Sequence, residues 1–438
     1  MSKPKIGIVG LGYVGLPFLA ALVNVGYKVV GLDINREKLR HLQQNYEADI
    51  YEPGLNETLK WHKNEIEFAD SYEYLMENCE AVFITVSTPI KEANIPSIEN
   101  INSVEAAIAG HLRRGQLIVL KSTVVPGTTR ELALKLQQIS GLQAGTDFYV
   151  AFCPERTIEG ASLHGLYTLP KIVGGINEKS TDEAATIIGS LGARIIKVSC
   201  PEVAELTKLI DNCYRLTNIV FANEIGNICE KIGLDIEELR YASNTAYERT
   251  NLFQAGLGAG GSCLSKDPEI LAYFAKMKEV DVKIINFSII RNRESTLRPA
   301  ILVSRFVKAN KIKKPKFSLS GLAFKGFPET DDIRDSPTVE IYHALKEEFP
   351  DAEFSFYDPV IKRFMDKPVT ETLAKCLDGS HVVMFLTNHR SLMNIDLESI
   401  LMGTARPLLI IDCWHNLKQP VDIKAKDVEI FRIGDGSL

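Results

Sequence analysis

The uncharged stretch from Ile6 to Tyr27 constrains this chain more than any other feature. Lys3 and Lys5 precede it, which gives it the outline of a signal peptide or a membrane span. Glycines at 7, 10, 12, 15 and 26 and Pro17 break that outline. They predict instead a short strand over Lys5–Val9, a tight turn and a buried helix. Within the turn, Gly10-Leu-Gly12-Tyr-Val-Gly15 has dinucleotide-loop spacing. Gly10 permits the turn, Gly12 lets a diphosphate approach the backbone, and Gly15 lets helix and strand pack closely. The diphosphate would then meet the N–H groups and the positive dipole end of the helix. Asp33 ends the next strand, 21 residues after Gly12, where a carboxylate accepts bonds from ribose hydroxyls and repels a 2′-phosphate. The turn therefore favours NAD over NADP, with the nearby Arg36 pulling the other way. An ordinary strand–turn–helix with incidental glycines is the plainer alternative, and the spacing weighs against it.

Strand-like runs recur at Lys28–Leu32, Ala81–Val86, Leu117–Lys121 and Phe148–Phe152, separated by helical patterns such as Asn35–Tyr46 and Thr128–Ile139. Such alternation implies a parallel sheet with helices on both faces. Runs at Lys171–Val173 and Arg194–Val198 extend the unit to about residue 200. From Pro201 to Gly233 there is no further proline and one internal glycine, Gly226. Leu206, Leu209, Ile210, Cys213, Leu216, Val220 and Phe221 recur there at helical spacing. A helix of this length must bury its stripe, and a dimer interface is one place to do so. A basic linker, KIKKPK at 311–316, follows, and strand-like runs resume at Phe317–Leu322, Glu353–Tyr357, His381–Leu386, Leu408–Asp412 and Val428–Arg432. The expected fold is α/β, with two Rossmann-like parallel-sheet domains (1–200 and 311–438) joined by a central long-helix dimerisation domain (201–310). The 50 basic and 56 acidic side chains are mixed along the chain, so nothing asks for nucleic acid or an anionic membrane. No stretch is apolar enough to span a bilayer, and a cytoplasmic protein is expected.

The eight cysteines form no CxxC pair and no zinc-type cluster with histidine, so no metal site is expected. Without a convincing export signal, a chain of this size keeps its thiols reduced, most of them as small buried hydrophobes. Cys263 differs. It follows Gly256-Leu-Gly258-Ala-Gly260-Gly261-Ser and precedes Leu-Ser-Lys266-Asp267. The glycines let the backbone come close to something. Lys266 could lower the thiol pKa, and Asp267 could accept a proton or hold water. A nucleophilic thiol beside an NAD site suggests aldehyde oxidation, in which a thiohemiacetal forms, hydride leaves to NAD and the thioester is hydrolysed. On these residues alone, a glycine turn with an inert cysteine stays open as well.

Seven motifs in order carry a resemblance over essentially the whole chain. They are GLGYVGLP (10–17), VSTP (86–89), KSTVVPGTT (121–129), CPERTIEG (153–160), AELTKLIDNCYRLTNIVFANE (204–224), GAGGSCLSKD (258–267) and GLAFKGFPETDDIRDSP (321–337). The chain resembles the UDP-glucose/GDP-mannose dehydrogenase family. That resemblance implies oxidation of the C6 hydroxymethyl of a UDP-sugar to a carboxylate through two hydride transfers to NAD, in a homodimer. It implies Cys263 as the nucleophile of the second step, Lys208 and Asn212 as the pair that stabilises the oxyanion at C6, and Asp267 and Thr123 as holders of the catalytic water. Glu159 matches a carboxylate near water and cofactor, and Glu155 is a second candidate on the substrate side, with Arg156 next to it. Tyr13, Val14 and Thr88 join Gly10, Gly12, Gly15, Asp33, Arg36 and Thr123 around the cofactor, and Arg334 resembles a residue near it. Gly258, Gly260, Gly261 and Lys325 fall to the nucleotide-sugar, and Arg249 resembles an arginine contributed across the dimer. Read without the resemblance, Lys208 and Asn212 are surface residues of an amphipathic helix, and the remaining charges are solvated.

The segment Pro154–Gly160 and the helix text 212–229 look like family enzymes acting on 2-acetamido sugars, whereas GSCLSKD lies closer to the glucose enzymes. The implied order is UDP-N-acetylmannosamine, then UDP-N-acetylglucosamine, then UDP-glucose. Two other classes compete. A single-step β-hydroxyacid or polyol dehydrogenase has no use for Cys263 or a second α/β domain. A non-catalytic dinucleotide-binding protein has no reason to retain Cys263, Lys208, Asn212 and Asp267 together.

Overall fold

A computed structural model describes residues 3–91, 94–418 and 427–436. It divides into two compact units, Met1–Asp211 with Glu269–Asp281, and Asn212–Pro268 with Val282–Leu438. The main sheet of the first unit is built from eight strands: β1 (Ile6–Val9), β2 (Val29–Leu32), β3 (Ile66–Phe68), β4 (Ala81–Ile84), β5 (Leu117–Leu120), β6 (Tyr149–Phe152), β7 (Lys171–Gly175) and β8 (Ile195–Lys197). They form one sheet in the order β8-β7-β6-β5-β4-β1-β2-β3. The order reverses at β1, which pairs with both β2 and β4, and this is where a doubly wound sheet opens its ligand crevice.

Two expectations need correction here. The sheet is not wholly parallel, because β7 runs antiparallel to β6, pairing Ala151 with Gly175 and Phe152 with Gly174. The connection between them carries only the short helix Ser162–Thr168 and brings the chain back in the reverse direction. The strand β3 was not anticipated, since three residues are too few to show a pattern. The stretch that resembled a membrane span is β1 followed by the helix Gly15–Asn24, whose residues are buried from Gly15 to Val23. A helix apolar on every side belongs inside a core, which accounts for its likeness to a span. Phe18 meets Phe83 of β4 edge-on, with ring centroids 4.9 Å apart. The next helix, Arg36–Asn45, starts where Asn35 accepts bonds from the Glu37 and Lys38 N–H groups, a cap that contributes about 1 kcal/mol. Among the described residues no helix is long and apolar enough to cross a membrane.

A central helix runs over Pro201–Ile232, as its proline-free, apolar-periodic sequence predicts. In the second unit a further long helix, Lys283–Ala309, follows. Five parallel strands come next: β9 (Lys316–Ser320), β10 (Glu353–Tyr357), β11 (Val382–Phe385), β12 (Leu408–Asp412) and β13 (Val428–Arg432). Their order is β10-β9-β11-β12-β13, a second doubly wound sheet with its switch point between β9 and β11. Phe317, Leu319, Met384, Leu409 and Ile411 pack there with Val303 and Phe306 of the long helix. Lys316, assigned to the basic linker on sequence, is the first residue of β9.

Candidate active site

At the first switch point, Gly10 adopts φ +95° and donates its N–H to Leu32 O at 2.8 Å. A Cβ on Gly15 would lie 1.9 Å from Gly10 O, so the turn can close on the helix only with glycine there. Gly12 is different, because a Cβ there would meet nothing within 4 Å. Its open face and the absence of a side-chain cap at Val14 leave room for an anion at the helix start, where the Leu16 N–H already donates to Gly12 O at 3.0 Å. Asp33 accepts from Leu11 N at 2.8 Å and Asn35 N at 2.9 Å, which fixes its carboxylate against the turn. Leu32, Asp33, Ile34, Arg36 and Tyr72 line a cavity beside it, and Arg36 lies 3.7 Å from Asp70. Tyr13 is half-buried within the turn.

Around this turn the structure brings together the loops that carry Thr88, Thr123 and Glu155. Thr88 Oγ1 donates to Thr123 O at 2.7 Å. Glu155 accepts from Arg156 N and Thr157 N, both at 2.9 Å, and its other oxygen lies 3.3 Å from Lys121 Nζ. Burial alone would raise this carboxyl, but the charges of Lys121 and Lys171 hold it at about 2. Lys121 is itself enclosed. Burial opposes its charge, yet Cys153 and Glu155 keep its pKa raised, and it sits 4.7 Å from the Phe18 ring. Sequence reasoning missed Lys121, although a lysine at the end of the apolar strand β5 signals a buried charge that needs a partner. It also missed Glu205. The helix Thr128–Ser140 has no side-chain cap of its own, and Gly127 before it takes φ +104°. Glu205, fully buried on the central helix, supplies the missing acceptors to Gly127 N (2.6 Å), Thr129 N (2.8 Å) and Thr129 Oγ1 (2.6 Å). Arg156 Nε donates to Asp211 at 2.8 Å. Glu159 is half-buried in the same loop.

Lys208 and Asn212 lie four residues apart on the central helix and are 8% and 4% exposed, not the solvated surface that amphipathic spacing alone would give. In the second unit Asn212 Nδ2 donates to Asp267 Oδ2 at 2.5 Å, and Asp267 is fully buried with Lys266 Nζ 3.2 Å from its other oxygen. Two residues assigned to the site from different motifs therefore meet. Cys263 sits in the four-residue helix Gly261–Leu264, and its side chain is exposed. Six of the other cysteines are buried and Cys200 is half-buried. Burial pushes Cys79 and Cys213 up to about 12 and Cys376 up to about 11, which leaves them unreactive. Exposure thus singles out Cys263.

The glycines before it come close to protein. A Cβ on Gly256 would lie 2.9 Å from the Trp414 ring, one on Gly258 2.1 Å from Thr296 Oγ1, and one on Gly260 2.4 Å from the Pro337 ring. Asn292 holds Ala259 from both sides, accepting from its N–H at 2.6 Å and donating to its carbonyl at 2.8 Å. At the second switch point, the loop after β9 carries Lys325 and the loop after β11 carries Asn388, which accepts from Gly326 N at 2.9 Å. Lys325 Nζ donates to Pro328 O. Asp358 accepts from Leu322 N at 2.7 Å. Burial would raise its carboxyl, but His389 and the N–H donors hold it below the usual carboxylate range. Arg334 pairs with Asp332 through two nitrogens, and Arg249 is exposed.

The family models for the NAD binding, central and UDP binding domains of the UDP-glucose/GDP-mannose dehydrogenase family match residues 4–190, 202–294 and 318–419. The chain belongs to this family. It is 34% identical over 402 residues to the UDP-N-acetyl-D-mannosamine dehydrogenase of Methanococcus maripaludis, covering 90% of this chain and 88% of that one. It is 31% identical to the enzyme of the same name from Pyrococcus horikoshii, covering 95% and 96%. The solved structure of UDP-D-ManNAc dehydrogenase from Pyrococcus horikoshii superposes with a TM-score of 0.88 at 29% identity, over 99% of this chain and all of that one. Membership makes this an NAD-dependent UDP-sugar dehydrogenase. The open face of Gly12, the uncapped helix start and the fixed Asp33 fit that cofactor.

Proposed function

We propose that the chain oxidises C6 of UDP-N-acetyl-D-mannosamine from alcohol to carboxylate, with Cys263 as a covalent nucleophile. The observation that carries this reading is the exposure of Cys263, four residues before the buried Asp267 that Asn212 engages. NAD, when bound, accepts one hydride in each oxidation. Gly12 and the helix start hold its diphosphate, Asp33 its ribose, and Thr88, Tyr13 and Arg334 stand near it. In the first oxidation Lys208 and Asn212 stabilise the oxyanion as the hydroxyl proton departs. The Cys263 thiolate then adds to the aldehyde carbon, giving a thiohemiacetal whose carbon loses the second hydride to become a thioester. Water held by Thr123 and Asp267 attacks that carbonyl, and the carbon–sulfur bond breaks to release the carboxylate and restore the thiol. Glu155, held ionised by the two lysines, serves as an acceptor that orients water or substrate. Glu159, half-buried in the same loop, stands near the water and the cofactor.

The relatives' names and the Pro154–Gly160 text support the acetamido sugar. Lys325 meets the nucleotide diphosphate as a point charge. We read the chain as domains over 1–200, 201–310 and 311–438, acting in the cytoplasm as a homodimer. An exposed apolar stripe on the central helix supports the dimer. Val203, Ile210, Tyr214, Phe221, Ile228 and Ile232 recur at seven- and four-residue steps, with Tyr214 60% and Phe221 55% exposed. Arg249 then reaches the partner's site. Purified protein with NAD and, separately, UDP-N-acetylmannosamine, UDP-N-acetylglucosamine and UDP-glucose tests the reading by NADH absorbance. About two NADH per sugar, with the highest kcat/KM for the first, is the expected result. Preference for either other sugar overturns the substrate, and no NADH with any of them overturns the reaction.

A further inference from the structure

Asp335 is a backbone outlier beside the nucleophile. It takes φ +50°, a left-handed conformation that costs a non-glycine residue stability and that aspartate tolerates better than most. Such outliers persist only where the surroundings demand them. Here the left-handed turn aims the Asp335 carbonyl at Gly261 N, 3.0 Å away, at the first residue of the Cys263 helix. At the other end of that helix, Ser265 Oγ lies 2.8 Å from Asp335 Oδ2 and also 2.8 Å from Gly261 O. Its single proton goes preferentially to the charged acceptor. One residue therefore grips both ends of a helix only four residues long, and Cys263 lies between the two grips. Gly260 makes the approach possible, since a Cβ there would lie 2.6 Å from the Asp335 carbonyl. The segment behind Asp335 is itself tied down, with Phe324 N donating to Asp332 O and Ser336 Oγ to Leu322 O.

We propose that Asp335 is a positioning residue for Cys263, holding the nucleophile's helix through its backbone carbonyl at one end and its carboxylate at the other. This rests on the reading of Cys263 as the nucleophile of the second oxidation. A helix of one turn has no cooperative stability of its own, so its orientation is set by these contacts. Loosening one end costs alignment of the thiol at the aldehyde carbon, where an error of about 1 Å is worth up to about a hundredfold in rate. The first hydride transfer does not use the thiol and is indifferent to the grip.

The test follows NADH formation in a single turnover of the full-length enzyme with NAD and its preferred UDP-sugar, for wild type, Asp335→Gly, Asp335→Asn and Ser265→Ala. Glycine suits the left-handed backbone and removes only the carboxylate, asparagine keeps both the backbone and an acceptor oxygen, and Ser265→Ala removes the donor. The expected result is a second NADH phase slowed about tenfold or more in Asp335→Gly and Ser265→Ala. The first phase and the KM for the sugar stay unchanged, and Asp335→Asn recovers most of the rate. The double variant Ser265→Ala/Asp335→Gly should be no slower than either single, because both remove the same bond. A second phase at the wild-type rate in both single variants overturns the proposal, and so does equal slowing of both phases. A wild type that yields no second NADH fails the underlying reading of Cys263 instead, so the two failures are distinct.

Discussion

Two glycine-rich loops stand out in this chain, at residues 10–15 and 256–261, and they use glycine for opposite reasons. At residues 10–15 the decisive glycine is Gly12, whose missing side chain leaves empty space over a helix start. At residues 256–261 the missing side chains are occupied by protein, namely Trp414, Thr296, Pro337 and Phe324. The first loop leaves open space where the cofactor diphosphate is proposed to sit, whereas the second packs closely against the protein just before Cys263. Their surroundings differ in the same sense. Near the first lies a buried ion pair, Lys121 with Glu155, stacked under Phe18 of the helix that the turn opens. Residues 256–261 are themselves held by uncharged contacts, such as the paired bonds of Asn292 to Ala259, and the charged groups, Asp267 and the Asp335 carboxylate, act only after them.

The contrast can be tested from its strongest element downward. Lys121→Met leaves Glu155 buried without its nearest counter-charge and should cost about 3–5 kcal/mol, read from urea midpoints. The pH dependence sharpens this. With a folded-state pKa of about 2, Glu155 stabilises the wild type above the ordinary carboxyl pKa, and that contribution fades as pH falls from about 4.5 toward 2. In Lys121→Met the buried carboxyl loses a principal cause of its depressed pKa, so this acid-side loss should shrink or reverse in sign. Gly258→Ala drives a methyl group into Thr296 and the Asn292 carbonyl, and should cost about 2–3 kcal/mol of stability.

Gly12→Ala is the counter-case. Its stability should stay within about 0.5 kcal/mol of wild type, while the KM for NAD rises about tenfold, equivalent to about 1.4 kcal/mol of binding. If Gly258→Ala proved neutral to stability, or Gly12→Ala destabilised the fold, the two loops would not differ as described. The smallest effect belongs to Arg36→Ala. Its pair with Asp70 is largely exposed, so thermal stability should change by less than about 0.5 kcal/mol.

What the sequence disclosed follows the same division. The turn at 10–15 was legible because its sequence pattern is local. The strand, the glycine spacing and Asp33 all lie within one short stretch, and β1 and the helix Gly15–Asn24 form where they were expected. The meeting of Asn212 with Asp267 was accessible only through the family motifs, because 55 residues separate them and no local pattern encodes such a contact. Glu205 stayed hidden for a related reason. It caps a helix that begins 77 residues earlier, where spacing offers only Gly127 as a start signal. The glycines at 256–261 announced a close approach, but not that the neighbour would be the protein itself. Asp335 was invisible as well, since nothing in DIRDSP marks a left-handed aspartate.

The most direct test of the covalent mechanism is the number of NADH formed per sugar consumed by wild type and by Cys263→Ser. The account predicts two for the wild type. For Cys263→Ser it predicts turnover reduced by about a thousandfold or more, the scale expected when a covalent nucleophile is lost, with no more than one NADH per sugar and unchanged NAD affinity. Two NADH per sugar at the wild-type rate from Cys263→Ser would contradict it.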